Sequence, residues 1–177
     1  MERRKFMKSA LLVSGAFALS SDNILAKAES PAVAGTSPGN ATVRFKKSIM
    51  WGTIGMDASV IDKCKAVKAA GYDGIEPNSH MDRKEVLDAM KATGLTASSV
   101  CCSTHWNKQL SDPDATVRRE AVEGVTVAME DAKAYGTDAV LVVPGSVGDA
   151  VAYDECWERS TESIKKLLPT AEKLKVK

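Results

Sequence analysis

The chain has 177 residues, 44% hydrophobic and 27% charged, and its 24 Lys and Arg against 23 Asp and Glu leave a net charge of +1. Those proportions are those of an ordinary globular protein, and the near cancellation of charge argues against a nucleic-acid polyanion as partner. Aromatic residues make up only 5%, so the core must be built from Val, Ile, Leu, Ala and Met.

The first 28 residues read as an export signal rather than as part of the fold. Arg3-Arg4-Lys5-Phe6-Met7-Lys8 resembles a twin-arginine motif and is followed by the apolar run 10–19. Ala26-Lys27-Ala28 has the small-x-small form of a cleavage site. A membrane anchor is the alternative, but a span takes roughly 20 apolar residues and this run has about ten. The expectation is an exported, periplasmic protein with no stable membrane anchor. Residues 29–47, with Pro31, Gly35, Pro38 and Gly39, read as a linker. The folded domain is then 48–177.

Within that domain, Ser48-Ile49-Met50-Trp51 is a short apolar run and reads as strand one. Asp57 or Ser59 can cap the next helix, where Val60, Ile61, Cys64 and Val67 recur on one face and Gly71 is the stop. Gly74-Ile75-Glu76 is strand two, cut off by Pro77. Asp82 caps a helix carrying Val86, Leu87 and Met90, which Gly94 ends. Strand three is expected over 97–102. After a loop, Pro113 is placed in the first turn of a long helix with the inner stripe Val117, Ala121, Val125, Ala128, Ala132 and Tyr135. Strand four, 139–143, is an unbroken apolar run of the kind found in parallel strands covered on both faces. Asp154 opens the last helix, whose expected buried face is Trp157, Ile164, Leu168 and Ala171.

Strand, helix, glycine, strand, four times over, calls for parallel neighbours joined by right-handed crossovers. The fold class that follows is α/β, with four parallel (β/α) units corresponding to the N-terminal half of a TIM barrel, and Lys175-Val176-Lys177 standing where a fifth strand would begin. A flavodoxin-like open sheet would show the same alternation. Against it, Gly52-Thr53-Ile54-Gly55 is no phosphate-binding glycine loop. Polar residues instead gather at strand ends, as Glu76, Asn78, His80, Thr104 and His105, where barrel enzymes place their sites. Cys64, Cys101, Cys102 and Cys156 lack the CxxC spacing of a metal motif and read mainly as buried small hydrophobes.

Residues 69–76 (AAGYDGIE), 103–106 (STHW) and 141–146 (LVVPGS) resemble the xylose-isomerase-like barrel superfamily, and within it the sugar and sugar-phosphate isomerases and epimerases such as the ketose 3-epimerases and hydroxypyruvate isomerase. The resemblance implies metal-assisted proton transfer next to a carbonyl, with a divalent ion (Mn, Mg, Co or Zn) and two carboxylates. The metal-binding Glu, Asp, His and Glu of those epimerases come from strands five to eight, positions without counterparts in this sequence. No catalytic or metal residue is therefore carried over, and the chain alone is expected to be inactive.

What can be carried over is the substrate-facing half. Glu76 stands where the family has a Glu facing the barrel mouth, and His105 where members place a pocket histidine. The resemblance thus implies Glu76, His105, Trp51 and Trp106 as substrate-binding residues for a small sugar or sugar phosphate, while self-association remains open. In the related apurinic endonucleases the position of His105 is a zinc ligand and a His-Pro-Gly follows strand four. Here Val143 precedes Pro144-Gly145, which weighs against a nuclease. A non-catalytic carbohydrate-binding or assembly module on the same half barrel is the second reading.

Overall fold

A computed structural model describes residues 45–149 and 151–177. The expected export signal and most of the expected linker lie outside the described residues. The first strand, β1 (Ser48–Met50), runs into a single 3-10 turn, Trp51–Thr53. Helix α1 (Val60–Ala69) follows, and Ser59 caps it by accepting the Asp62 N–H at 3.3 Å. Strand β2 (Gly74–Glu76) leads to α2 (Arg83–Thr93), which Asp82 caps at its start and Gly94, at φ +66°, closes in the left-handed conformation.

The third expected strand is two short ones. β3 (Thr96–Ala97) pairs with β2, β4 (Val100–Cys101) pairs with β5 (Val140–Leu141), and Ser98-Ser99 form the break between them. All pairings are parallel: β1-β2-β3 make one sheet and β4-β5 a second. An Asn78–Cys101 bridge joins the two, supported by Cys101 N–H to Pro77 O at 2.9 Å and Ser79 N–H to Cys101 O at 2.8 Å. The hydroxyls at the break account for the split. Ser98 donates through both its N–H and its Oγ to Ile75 O, and Ser99 bonds a side chain instead of a neighbouring strand.

The remaining helices are α3 (Ala115–Tyr135) and α4 (Tyr153–Leu174). Asp114 caps α3, so Pro113 lies just ahead of the helix rather than in its first turn. The expected inner stripe of α3 holds: Ala121, Val125, Ala128, Ala132 and Tyr135 are buried, and Val117 is half-buried. With α1, α2 and the outward faces of the strands these residues build the core, centred on Cys64, Ile75, Val86 and Val100.

Two expectations need correction. Strand four is only Val140–Leu141, and it is not covered on both faces, because Leu141 is 39% exposed. The buried face of α4 is also rotated from the one read off its hydrophobes. Trp157 and Leu168 are 67% and 50% exposed, while Ser160, Ser163 and Leu167 are buried. Hydrogen bonding decides the rotation. Ser163 Oγ donates to Leu110 O at 2.9 Å and Ser160 Oγ to Pro144 O at 3.4 Å, turning the small polar side of the helix inward. Beyond α4, Lys177 donates its N–H to Asp138 O and accepts the Val140 N–H, the pattern of a parallel neighbour on the free edge of β5. These are four β/α units of a TIM barrel, matching its N-terminal half.

Candidate functional site

Side chains alternate across a strand, so the core residues fix the opposite face. Ile49, Ile75, Val100 and Val140 all pack into the helix-covered core. Ser48, Met50, Gly74, Glu76, Cys101 and Leu141 therefore belong to the other face, which in a closed barrel looks into the lumen. Low on that face, Ser48 Oγ lies 2.8 Å from Ser98 Oγ. Higher up, at the C-terminal end of the strands, Met50 pairs with Glu76 across β1 and β2. Only glycine fits at 74, because a Cβ there would lie 2.6 Å from the Thr96 carbonyl oxygen.

Glu76 is half-buried and fixed, since Ser99 Oγ donates to its Oε1 at 2.5 Å. It stands beside Cys101, whose thiol is held above its ordinary value first by burial and then by the Glu76 charge. The sequence reading picked out Glu76 at this wall but missed Ser99 and Cys101. Their alternation with Val100 and Cys102 is the signal in the sequence that marks them.

The other three expected residues are placed differently. His105 is 3% exposed and sits at the seam between β4 and β5. Its Nδ1 accepts the Val143 N–H at 3.2 Å, so its ring continues the β4–β5 ladder by one rung beyond Cys102 N–H to Leu141 O. Burial pushes the imidazole below its ordinary value, partly offset by a hydrogen bond with Leu141 O. Trp106 is 66% exposed and meets the His105 ring edge-on, with centroids 4.9 Å apart. Trp51 packs half-buried on the core with the Lys63 ammonium 5.3 Å over its ring, which turns it towards α1. Glu76 ends one strand and His105 follows another, but each is bonded to a different partner, Ser99 and Val143.

A second polar cluster follows β2. His80 has φ +66°, uncommon for a residue with a side chain, and its N–H donates to Asp131 Oδ2 at 3.0 Å. Asp131 is 2% exposed and is also bound by Arg83 through Nε at 2.9 Å and Nη2 at 2.7 Å. Among the described residues no three His, Cys, Asp and Glu side chains converge to hold a metal ion. No helix of the described residues is long and apolar enough to cross a membrane.

A family model described as xylose isomerase-like TIM barrel matches residues 64–177. Among solved structures, the chain is similar to 3-keto-D-glucoside 4-epimerase YcjR from E. coli (17% identity, TM-score 0.63, 75% of this chain and 54% of that one). It is also similar to a D-psicose 3-epimerase from Clostridium cellulolyticum H10 solved with D-tagatose (20%, TM-score 0.58, 75% and 50%). A third is an L-ribulose 3-epimerase (17%, TM-score 0.59, 73% and 46%). At these identities the likeness is one of fold, and the chain spans about half the length of each structure. No curated protein matches it.

Proposed function

The chain belongs to the xylose isomerase-like TIM barrel family, and from that premise we propose that it supplies the substrate-facing half of a sugar or sugar-phosphate isomerase or epimerase. The observation that carries this reading is Glu76 at the C-terminal end of β2, on the lumen face, with its orientation set by Ser99. A carboxylate fixed there accepts hydrogen bonds from sugar hydroxyls and holds the ring while a carbon-bound proton next to the carbonyl is exchanged. Similarity in fold to three epimerases acting on keto-sugars, ketoses or L-ribulose supports the substrate class.

Trp106, exposed and set against His105, offers an apolar face for the sugar, while His105 positions the loop that carries it. Trp51, packed on the core with its ring towards Lys63 of α1, is given no sugar contact in this reading. The metal of such a reaction is assigned to none of the described residues. In a complete barrel, Glu76→Gln should lower kcat/KM for the ketose substrate by the equivalent of about 1–3 kcal/mol, through a hydrogen bond weakened at a partly buried site. Unchanged kcat/KM in that variant would remove Glu76 from the pocket.

Export completes the reading. Arg3-Arg4 ahead of the run 10–19 favours a folded protein passed to the periplasm with residues 1–28 removed. Cell fractionation with N-terminal sequencing should find mature protein outside the cytoplasm, and cytoplasmic chains that retain Met1 would refute it.

A further inference from the structure

Of the polar residues at the strand ends, Glu76, His80, Thr104 and His105 all have side-chain hydrogen-bond partners within the chain. The side-chain amide of Asn78 has none among the described residues. Asn78 is half-buried, lies two residues beyond Glu76 and bridges to Cys101 in the parallel sense. Pro77 between them is fully buried, so Glu76 and Asn78 share the opposite, lumen face with Cys101. The local work expected of an asparagine here is done by other groups. At a strand end its side chain ordinarily closes a turn by accepting the backbone N–H two residues on. That N–H, of His80, is donated instead to buried Asp131 at 3.0 Å. The Ser79 N–H goes to Cys101 O at 2.8 Å, and the Ser103 N–H goes to Ser79 Oγ at 2.9 Å.

The turn after β2 is thus built without the Asn78 side chain. It is also open on one side, because β1 stops at Met50, opposite Glu76, and gives way to the 3-10 turn Trp51–Thr53. Two groups therefore stand free on this wall, on residues roughly 6.5 Å apart along the strand. One is Glu76 Oε2, since Oε1 takes the Ser99 proton. The other is the Asn78 amide. The carboxylate accepts, whereas the amide both donates and accepts. A phosphate is repelled beside the carboxylate, and an apolar group leaves the amide unpaired. Hydroxyls on two carbons of one sugar satisfy both. With the proton-moving groups assigned to other β/α units, the hydroxyls met here are those away from the reacting carbons.

We propose that Asn78 is a specificity-determining residue of the sugar pocket, its amide bonding a hydroxyl remote from the carbonyl beside the one that donates to Glu76. The assignment rests on the isomerase or epimerase reading and adds to it the part of the substrate that this wall recognises.

The test is Asn78→Ala, made both in residues 1–177 and in a complete barrel that contains them. In residues 1–177 the variant should keep the urea midpoint of the native chain, because the side chain makes no bond that holds the fold. In the complete barrel, proton exchange next to the carbonyl is measured with D-fructose, D-tagatose and L-sorbose. These ketoses share their reacting carbons and differ in the hydroxyls further along the chain. For the best of the three, KM should rise roughly three- to tenfold with kcat little changed, the loss of one neutral hydrogen bond. The spread of kcat/KM among the three should narrow. A lowered urea midpoint would make Asn78 a structural residue and overturn the assignment. So would an unchanged KM and spread in a barrel whose exchange is lowered by Glu76→Gln, an outcome that leaves the epimerase reading standing. A barrel that exchanges none of the three overturns that reading and the role of Asn78 with it.

Discussion

At the scale of single residues, the polar groups near the strand ends are held by partners from elsewhere in the chain. Glu76 has Ser99, His80 has Asp131 and the hydroxyls of Ser79 and Ser103, and His105 has Val143. The last of these has a consequence for pH. Neutral His105 accepts the Val143 N–H, and protonating that nitrogen turns an acceptor into a donor facing a donor. Its folded pKa lies below the ordinary value of 6.5 because burial disfavours the cation, so the unfolded chain takes up the proton first. The contribution of His105 is therefore fully present above about pH 6.5 and is lost as pH falls from there through the lowered folded value. Urea midpoints measured between pH 7.5 and 5 should fall with pH in the native sequence and fall less steeply in His105→Gln. Equal slopes in the two proteins would show that the imidazole is not held as described.

At the scale of elements, parallel strands this short depend on close backbone approach. Gly74 sits between Ser48 and Thr96 in the register of β1-β2-β3, and a Cβ there would crowd the Thr96 carbonyl, which is backbone and cannot swing away. Gly74→Ala should cost about 1–3 kcal/mol by overpacking, read as a lower denaturation midpoint. Gly124→Ala tests a different kind of crowding, because the atoms nearest its Cβ would be those of the Thr104 side chain. A Gly74→Ala protein as stable as the native one would mean that β1 and β3 are not pinned to β2 as described.

The same elements show what the sequence could reveal. Caps and stops were legible because they are local chemistry: Ser59, Asp82 and Gly94 each act within a few residues of themselves. The core stripe of α3 was legible because 3.6-residue periodicity reports burial directly. The rotation of α4 was not, because its inward face is chosen by Ser160 and Ser163 reaching carbonyls of distant loops, and a reading by hydrophobicity favours Trp157 and Leu168 instead. The break at Ser98-Ser99 escaped for a similar reason. Two serines inside an apolar run look like a tolerated polar pair until their hydrogen bonds to Ile75 and Glu76 are seen. At the candidate site, Glu76 was legible from its place at a strand end, whereas the commitment of His105 to β5 depends on a residue 38 positions away.

At the scale of the whole molecule, four parallel β/α units place helices on one face of the sheet and a small, partly polar wall on the other. That wall is one side of a barrel lumen, with Glu76 near its mouth. We propose that the wall positions a sugar for proton exchange while the groups that move the proton come from other β/α units. The most direct test is deuterium uptake from D2O at the carbon next to the carbonyl of a ketose, followed by proton NMR. The measurement compares residues 1–177 with a complete barrel that contains them. Exchange is expected from the complete barrel, reduced by Glu76→Gln, and none from residues 1–177 alone. Exchange catalysed by residues 1–177 alone, or a complete barrel that exchanges no ketose, would contradict the proposal.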